Sequence, residues 1–258
     1  VSTNVPIWSY VTDSSDDYVT ATAISSDGNF SVVGYKDGKV RFFGKANNTP
    51  IWSYSTGGEI FSVDITSDGN HAVVGSKNEK AYLFTKTNNS FVWRYDLGDD
   101  VYSVSITDNG SYVAIGGKNN KLVLFEGTDS SPSWTSETLE GDIVSVSVES
   151  SYVAVGTDGG SWGYVYLFGT GSSDPVWSDD IGAVTEVMMD SDSTNFVVGS
   201  EDYNVYYYSV SSSSPVWTFG SDNKILSVSI SSNGGFISAG SQDDKVYFFN
   251  SSSSTPLW

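Results

Sequence analysis

Short apolar runs alternate with polar turns along the whole chain, and this alternation returns six times at a period of 40 to 44 residues. Each unit contains an apolar run, a turn, a second run ending in glycine, another turn, a third run and a segment ending at tryptophan. The first run is clearest at 101–106 (VYSVSI), whose length and β-branched residues are typical of a β-strand. No segment has a convincing helical period. The pattern predicts four short strands in each unit.

A fixed aromatic spacing marks the end of every unit. In all six copies an aromatic residue is followed nine positions later by tryptophan: Phe43–Trp52, Phe84–Trp93, Phe125–Trp134, Phe168–Trp177, Tyr208–Trp217 and Phe249–Trp258. Trp8 stands near the N-terminus without an upstream partner, and all six prolines lie two residues before one of these tryptophans. We expect the repeated tryptophans to be packing residues at the outer part of each unit, against a neighbouring unit.

Four-stranded repeats of this length predict an all-β, six-bladed β-propeller with antiparallel strands in each blade. Proline cannot donate a hydrogen bond to a sheet ladder, so the proline-containing fourth strand is expected at the outer edge and the first strand next to the central channel. We expect one domain covering residues 1–258, with repeat units at about 9–52, 53–93, 94–134, 135–177, 178–217 and 218–258.

Two segments fit the fourth strand of the last blade. Both 6–8 (PIW) and 256–258 (PLW) carry the Pro-x-Trp pattern. The N-terminal copy continues through Tyr10 and leads directly into the first blade. We therefore predict that residues 6–10 close the ring.

The repeats resemble two known propeller families. The pattern Val-x-x-Val-x-Ile, Asp-Gly turn, Val-Val-Gly-Ser and Lys-Val-x-x-Phe resembles a WD-repeat blade, and the constant turn before tryptophan resembles the tryptophan-docking motif of PQQ-like repeats. Together they are similar to archaeal and bacterial PQQ-like propeller repeats. The resemblance implies the fold and is unspecific for activity. The WD-type histidine is missing, an aromatic other than tryptophan ends each third run, and catalytic quinoproteins typically have eight blades, which disfavours a quinone cofactor.

The amino-acid composition disfavours several classes of binding partner. The net charge of −19 disfavours nucleic acid and anionic membranes. No apolar run approaches the roughly 18 residues of a membrane helix, so we expect no membrane insertion. The acidic balance with few basic residues favours an extracellular or cell-surface location, with the cytoplasm as the alternative. Because the chain starts at Val1 and stops inside a repeat motif, we expect a processed protein or an excised part of a longer one.

Residues for catalysis are scarce. His71 is the one histidine, and Arg41 and Arg94 are the two arginines, so histidine triads, histidine metal clusters and an arginine triad for a carboxylate substrate are all disfavoured. We expect no enzyme activity and no cofactor. Calcium has weak support, because Asp13, Asp16 and Asp17 offer hard oxygen ligands but do not match the EF-hand spacing.

One face of the propeller is the candidate binding surface. The fourth-to-first connections and the second-to-third turns should share this face, and the largest length variations, 13–17 and 159–163, both fall there. It also gathers acids from successive blades: Asp13, Asp16, Asp17, Glu59, Asp99, Asp100, Glu140, Asp142 and Asp222. A partner contact centred on Trp162 and fringed by acids is the hypothesis. The alternatives are that Trp162 folds back on its own blade and that the acids only confer solubility.

Glu186 is the second candidate, because it occupies a position of the innermost strand that is small in the other units. It faces solvent in the central channel or marks a polar ligand site there. The function that these features favour is a non-catalytic scaffold that binds a protein, with a basic partner fitting the acidic rim. A small-ligand or glycan-binding propeller is the alternative, and an enzyme with carboxylate or metal chemistry is less favoured.

Overall fold

A computed structural model of the protein describes residues 5–12 and 17–258, so the predicted site residues Asp13 and Asp16 lie outside the described residues. The described residues form 23 strands in six antiparallel sheets, which confirms the predicted all-β fold with six blades. Blade one contains β1 (Val19–Ile24), β2 (Phe30–Tyr35), β3 (Lys39–Gly44) and β4 (Pro50–Ser55). Blade two contains β5 (Ile60–Ile65), β6 (His71–Ser76), β7 (Lys80–Thr85) and β8 (Phe91–Asp96).

The same order continues through the remaining blades. Blade three contains β9 (Val101–Ile106), β10 (Tyr112–Gly117), β11 (Val123–Glu126) and β12 (Trp134–Thr135). Blade four contains β13 (Asp142–Val148), β14 (Tyr152–Asp158), β15 (Gly163–Gly169) and β16 (Pro175–Ile181). Blade five contains β17 (Val184–Met189), β18 (Asn195–Ser200), β19 (Asn204–Ser209) and β20 (Trp217–Gly220). Blade six contains β21 (Ile225–Ile230), β22 (Phe236–Ser241) and β23 (Val246–Asn250).

Sequential strands pair within each blade, from the first strand at the channel to the outermost strand. The innermost strand has a register shift in all six blades, for example between Ile60 and Ser62. A β-bulge increases strand twist, so the repeated bulge contributes to the same twist in each blade. The innermost strands pack in the order β1, β5, β9, β13, β17 and β21.

The core lies between blades. Five clusters of buried apolar side chains fill the five interfaces from blades one and two to blades five and six. At each interface a glycine close to the end of the second strand leaves room for the first apolar residue of the next blade. A Cβ at Gly75 would lie 2.9 Å from Val101 Cγ1, and one at Gly199 would lie 2.7 Å from Ile225 Cγ2. These glycines are therefore required by close packing between blades.

The predicted ring closure by residues 6–10 is wrong. The backbone N–H of Leu257 donates to Phe248 O at 2.7 Å, and the Trp258 ring stacks on Phe248, so residues 256–258 occupy the fourth-strand position of blade six. The C-terminal copy reaches this position through a local turn. Residues 5–12 instead lie against blade one, where Trp8 Nε1 donates to Lys45 O at 3.0 Å. Within residues 5–12 and 17–258, β21 and β1 have no packing comparable to the other neighbouring pairs.

Backbone hydrogen bonds define two faces of the propeller. On the first, fourth-to-first connections meet second-to-third turns, as where Lys118 N donates to Asp100 O at 3.0 Å. We call this the insertion face; its turns are 36–39, 77–80, 118–121, 158–163, 201–204 and 242–245. On the opposite face, third-to-fourth turns meet first-to-second turns, as where Lys86 N donates to Asn70 O at 3.0 Å. No helix of the described part of the chain is long and apolar enough to span a membrane.

Candidate functional site

The repeated tryptophans join consecutive blades at their outer edges. The Trp52 ring lies 5.3 Å from Phe42 of its own blade and 5.0 Å from Phe84 of the next blade. The stacking on the next blade recurs at Trp8, Trp93, Trp134, Trp177 and Trp217. The indole N–H of Trp52 donates to Thr85 O at 3.1 Å, one residue after the aromatic residue of the next blade. The indoles of Trp134, Trp177 and Trp217 donate to the carbonyl one residue further along. These side chains hold the scaffold together.

Trp162 lies on the insertion face, in the connection between β14 and β15. Its backbone carbonyl accepts a hydrogen bond from Gly159 N at 2.8 Å, its ring covers Gly159, and the ring meets Tyr164 edge-on with centroids 6.1 Å apart. The side chain nevertheless remains 41% exposed. Trp162 therefore combines both expectations, because it folds onto its own blade and still presents part of an indole to solvent.

Acidic side chains of blades three and four surround the same part of the face. Asp142 and Asp158 are directly paired residues of β13 and β14. Burial raises the pKa of Asp142, the positive charge of Lys118 lowers it, and the negative charges of Asp158 and Asp99 raise it further. Asp99 Oδ1 accepts the N–H of Asp100 at 2.9 Å, and both residues are half-buried. The fold thus brings the predicted pair Asp99 and Asp100 next to Asp142 and Asp158.

Aromatic residues that the sequence did not single out complete this patch. Phe61 and Tyr102, the second residues of neighbouring innermost strands, meet edge-on with centroids 5.4 Å apart. Burial raises the pKa of the Tyr102 hydroxyl, and the charges of Asp142, Asp100 and Asp99 raise it further. The signal available in the sequence was variation, since this strand position also holds Thr20, Val144, Thr185 and Leu226. We call Asp99, Asp100, Tyr102, Asp142, Asp158 and Trp162 the acidic-aromatic patch.

Other acids of the insertion face, including the predicted Asp222, have different surroundings. In blades five and six, Glu201 pairs with Lys224 at 2.5 Å and Asp222 pairs with Lys245 at 2.6 Å. Of the ion pairs formed by residues 5–12 and 17–258, none includes Asp99, Asp100 or Asp142. Acids near blade six are therefore held in ion pairs, whereas Asp99, Asp100 and Asp142 of the acidic-aromatic patch form none within the described residues, although Lys118 lies close enough to lower the pKa of Asp142.

Asp17 is separated from that patch and is only 8% exposed. Its carboxylate accepts a hydrogen bond from Asp37 N at 3.2 Å, and its backbone carbonyl accepts one from the Thr12 hydroxyl at 3.1 Å. Glu59 and Glu140 lie half-buried and exposed, respectively, on the same face. The structure does not bring Asp17 together with Trp162, and its contacts fit a role in fixing the connection that enters blade one.

Glu186 lines the central channel, where its carboxylate accepts hydrogen bonds from Val228 N and from the Ser227 hydroxyl, both at 2.8 Å. Serines have the same role in other blades: Ser103 Oγ accepts from Val146 N, and Ser145 Oγ accepts from Val187 N, each at 3.0 Å. Glu186 therefore links blades five and six, and its carboxylate is already engaged by protein donors.

A second group of acids lies where the channel meets the opposite face. Asp64 accepts the N–H groups of Ile65 and Ile106 at 2.8 Å, and burial raises its pKa to about 6. Burial and the charges of Asp108, Asp64 and Asp190 raise the pKa of Glu149 to about 8. Sequence reasoning missed this group, because its members occupy unequal positions of different repeats. We call Asp64, Asp108, Glu149 and Asp190 the channel acids.

Comparison with known proteins shows that the chain is similar to β-propellers. The family model for WD domain, G-beta repeat matches residues 5–43. No curated protein matches the chain. Among solved structures, a chain in the crystal structure of a mitotic checkpoint complex has a TM-score of 0.78 and 18% sequence identity, over 92% of this chain and 78% of that one. At this identity, the likeness shows the fold alone.

A longer family match covers most of the blades. The model described as outer membrane protein assembly factor BamB matches residues 36–258. Together with the WD-repeat match, it confirms the resemblance to PQQ-like and WD-type propeller repeats. The tryptophans that dock each blade on the next are the structural counterpart of that resemblance. The chain belongs to the propeller family whose model is described as outer membrane protein assembly factor BamB.

Proposed function

We propose that the protein is a non-catalytic scaffold that binds a basic protein segment at the acidic-aromatic patch. The observation that carries the proposal is that, within the described residues, Asp99, Asp100 and Asp142 form no ion pair and lie on the same part of the face as the partly exposed indole of Trp162. The negative charges of Asp158 and Asp99 raise the pKa of Asp142, and a cation nearby would favour its charged form. A lysine or arginine of a partner would supply that cation.

The aromatic residues suit the same partner. Arginine and lysine interact favourably with the face of an indole ring within about 6 Å of its centroid. Partly exposed tryptophans are also frequent centres of protein-binding surfaces. Trp162 is held by Gly159 and Tyr164, so little conformational freedom would be lost on binding.

A small ligand has less support. The depression beside Trp162, between Ser161 and Glu201, holds about 120 Å³, below the roughly 300 Å³ of common small-molecule sites. The central channel holds about 310 Å³, but Glu186 and several serines there already accept backbone hydrogen bonds. An open, shallow and charged surface suits a protein segment better.

The propeller fold agrees with a function as a binding scaffold. Rigid propellers commonly display binding residues on their loops. As part of the same proposal, we infer an extracellular or cell-surface location from the net charge of −19 and the scarcity of basic residues.

Binding of an oligo-arginine peptide, measured by calorimetry at two salt concentrations, tests the proposal. We expect Trp162→Ala to weaken binding by about 0.5–2 kcal/mol, the range of a cation–π contact. The double variant Asp99→Asn/Asp100→Asn should weaken binding and reduce its salt dependence. The matched control is Glu126→Gln/Asp129→Asn, which removes the same charge from exposed positions of the same blade on the opposite face.

Equal losses from the two double variants would mean that the peptide senses only net charge, and would contradict a site at the patch. A glycan array with and without calcium separates the alternative. Selective glycan binding by a protein that does not bind the peptide would favour a lectin-like function instead.

A further inference from the structure

The seam between blades six and one differs from the five other blade interfaces. On the blade-six side, Val246 is 58% exposed and Trp258 is 70% exposed, whereas the residues equivalent to Val246 in the other blades are fully buried. On the blade-one side, Val19 is 47% exposed and Ile24 is 67% exposed. We call these two apolar surfaces the open seam. The blade-six surface also includes Gly240 and Phe248, and the blade-one surface also includes Val33.

Each side of the open seam has the packing residues that one side of a closed blade interface has. A Cβ at Gly240 would meet no atom within 4 Å, whereas the equivalent glycines of the five preceding blades contact the first apolar residue of the next blade. Ser103 and Ser105 each accept a backbone N–H from blade four. Their counterpart Ser229 is exposed, and its hydroxyl group has no hydrogen bond within the described residues. Blade six therefore has the packing surface on which the innermost strand of a following blade would lie.

The tryptophans show the same asymmetry. Trp258 stacks on Phe248 of its own blade, with centroids 5.5 Å apart, and contacts no aromatic ring of a following blade within the described residues. Trp8 does the reverse: it stacks on Phe43 of blade one at 5.4 Å and donates to Lys45 O, as Trp52 does toward blade two. Trp8 thus behaves as the outer-strand tryptophan of a blade that precedes blade one.

We propose that the open seam is the seat of a seventh blade, formed by a three-stranded repeat unit joined after Trp258 and by residues 6–10 as its fourth strand. Its innermost strand would place a valine or isoleucine against Gly240. Its backbone N–H groups would face Ser227 and Ser229, and its own small polar residues would accept the N–H groups of blade one.

The connections on both sides support a unit joined in this way. Residues 256–258 already lie in the fourth-strand position, from which the chain passes by a short connection to the next innermost strand in the other blades. A pocket of about 250 Å³ lies between the N-terminal segment and blade one, lined mainly by Ile7, Trp8, Ile24 and Phe30. We assign this apolar space to side chains of the seventh blade rather than to a small ligand.

Engineered disulfides test this arrangement in a chain that contains no cysteine. The residue after each blade tryptophan pairs with the third-strand residue two positions before the final aromatic, as Arg94 pairs with Tyr82 and Ser178 with Tyr166. The full chain is extended after Trp258 with a second copy of residues 218–255, which follow Trp217 in the natural sequence. Ser9→Cys should then form a disulfide with a cysteine at the appended copy of Tyr247.

The matched control places both cysteines in the unextended chain, as Ser9→Cys/Tyr247→Cys. It should not form the bond, because residues 256–258 occupy that position beside β23. A disulfide in this control, or its absence from a folded extended chain, would overturn the proposal.

Hydrogen exchange and a dye that binds apolar surface give a second readout. Extension should protect the amides of Val19–Ile24 and of Val246, reduce dye fluorescence and leave the protein monomeric. Appending a Gly/Ser segment of equal length should change none of these. If the unextended chain instead buries both sides of the seam in a stable dimer, a second copy is the occupant and the seventh-blade proposal is wrong.

Discussion

The interface between blades one and two and the open seam use similar residues in different surroundings. Ile65 of blade two is 6% exposed because blade one covers it, while the equivalent Ile24 of blade one is 67% exposed. Val40 of blade one is fully buried against blade two, while the equivalent Val246 of blade six is 58% exposed. Chemical type therefore does not decide the burial of these residues; the presence of a neighbouring blade does.

This difference shows how the fold is stabilised. The core consists of five clusters, and each cluster combines buried residues of two neighbouring blades. In repeat proteins, stability is approximately a sum over the units and their nearest-neighbour interfaces. A substitution should therefore have a large effect at a closed interface and a small effect at the same repeat position beside the seam.

The tryptophans should show the largest contrast. Trp52 is 6% exposed and stacks on two blades, so Trp52→Ala should destabilise the protein by about 3–5 kcal/mol. Trp258 is 70% exposed, and Trp258→Ala should cost only about 0.5 kcal/mol. Urea denaturation midpoints measure both values. Comparable losses at the two positions would mean that the C-terminal tryptophan is covered in solution.

The sequence alone predicted the features that repeat in every blade. The nine-residue aromatic spacing and the glycine at the end of each second run led to four strands per unit and six blades, because repeated packing imposes repeated residues. It could not predict the seam. Trp8 and Trp258 carry the same Pro-x-Trp pattern, and only their contacts show that one docks on blade one and the other completes blade six.

The glycines at the ends of the second strands should give the next largest contrast. A Cβ at Gly116 would lie 3.0 Å from Ile143 Cβ of blade four, so Gly116→Ala should cost about 1–3 kcal/mol through overpacking. At Gly240 a Cβ would contact nothing, and Gly240→Ala should be neutral or stabilising by about 0.4–1 kcal/mol, since it restricts the unfolded chain. Thermal denaturation of both variants checks the pair. A loss at Gly240 equal to that at Gly116 would contradict an open seam.

The candidate site was predicted only in part. Loop lengths drew attention to Trp162, and the acids before β9 drew attention to Asp99 and Asp100. Tyr102 and Asp158 were not predicted as members of the site, because they join the patch through contacts between neighbouring blades and strands, which one sequence does not display. Glu186 was noticed for its charge, yet its contacts repeat those of the serines at the same position.

The smallest effect that we expect concerns the channel acids, which come from blades two to five. Beside the seam, serines Ser25 and Ser231 take the repeat position of Glu149 and Asp190. Glu149 has a pKa of about 8 in the folded protein against an ordinary value of 4.5, because of burial and the charges of Asp108, Asp64 and Asp190. A raised carboxyl pKa means that the native state holds the proton more tightly. The contribution of Glu149 to the free energy of unfolding is therefore fully present below about pH 4.5 and is lost as pH rises toward 8.

Glu149→Gln should remove that loss, because the amide stays neutral across the whole range. Glu149 is partly exposed, so solvent screening should limit the gain at pH 8 to about 1 kcal/mol or less. Denaturation midpoints of the variant and the parent, compared at pH 5 and pH 8.5, measure the effect, with Ser231→Ala beside the seam as the control. If the parent and Glu149→Gln respond identically to pH, the carboxyl group is hydrated in solution and the charges of the channel acids do not weaken the closed interfaces.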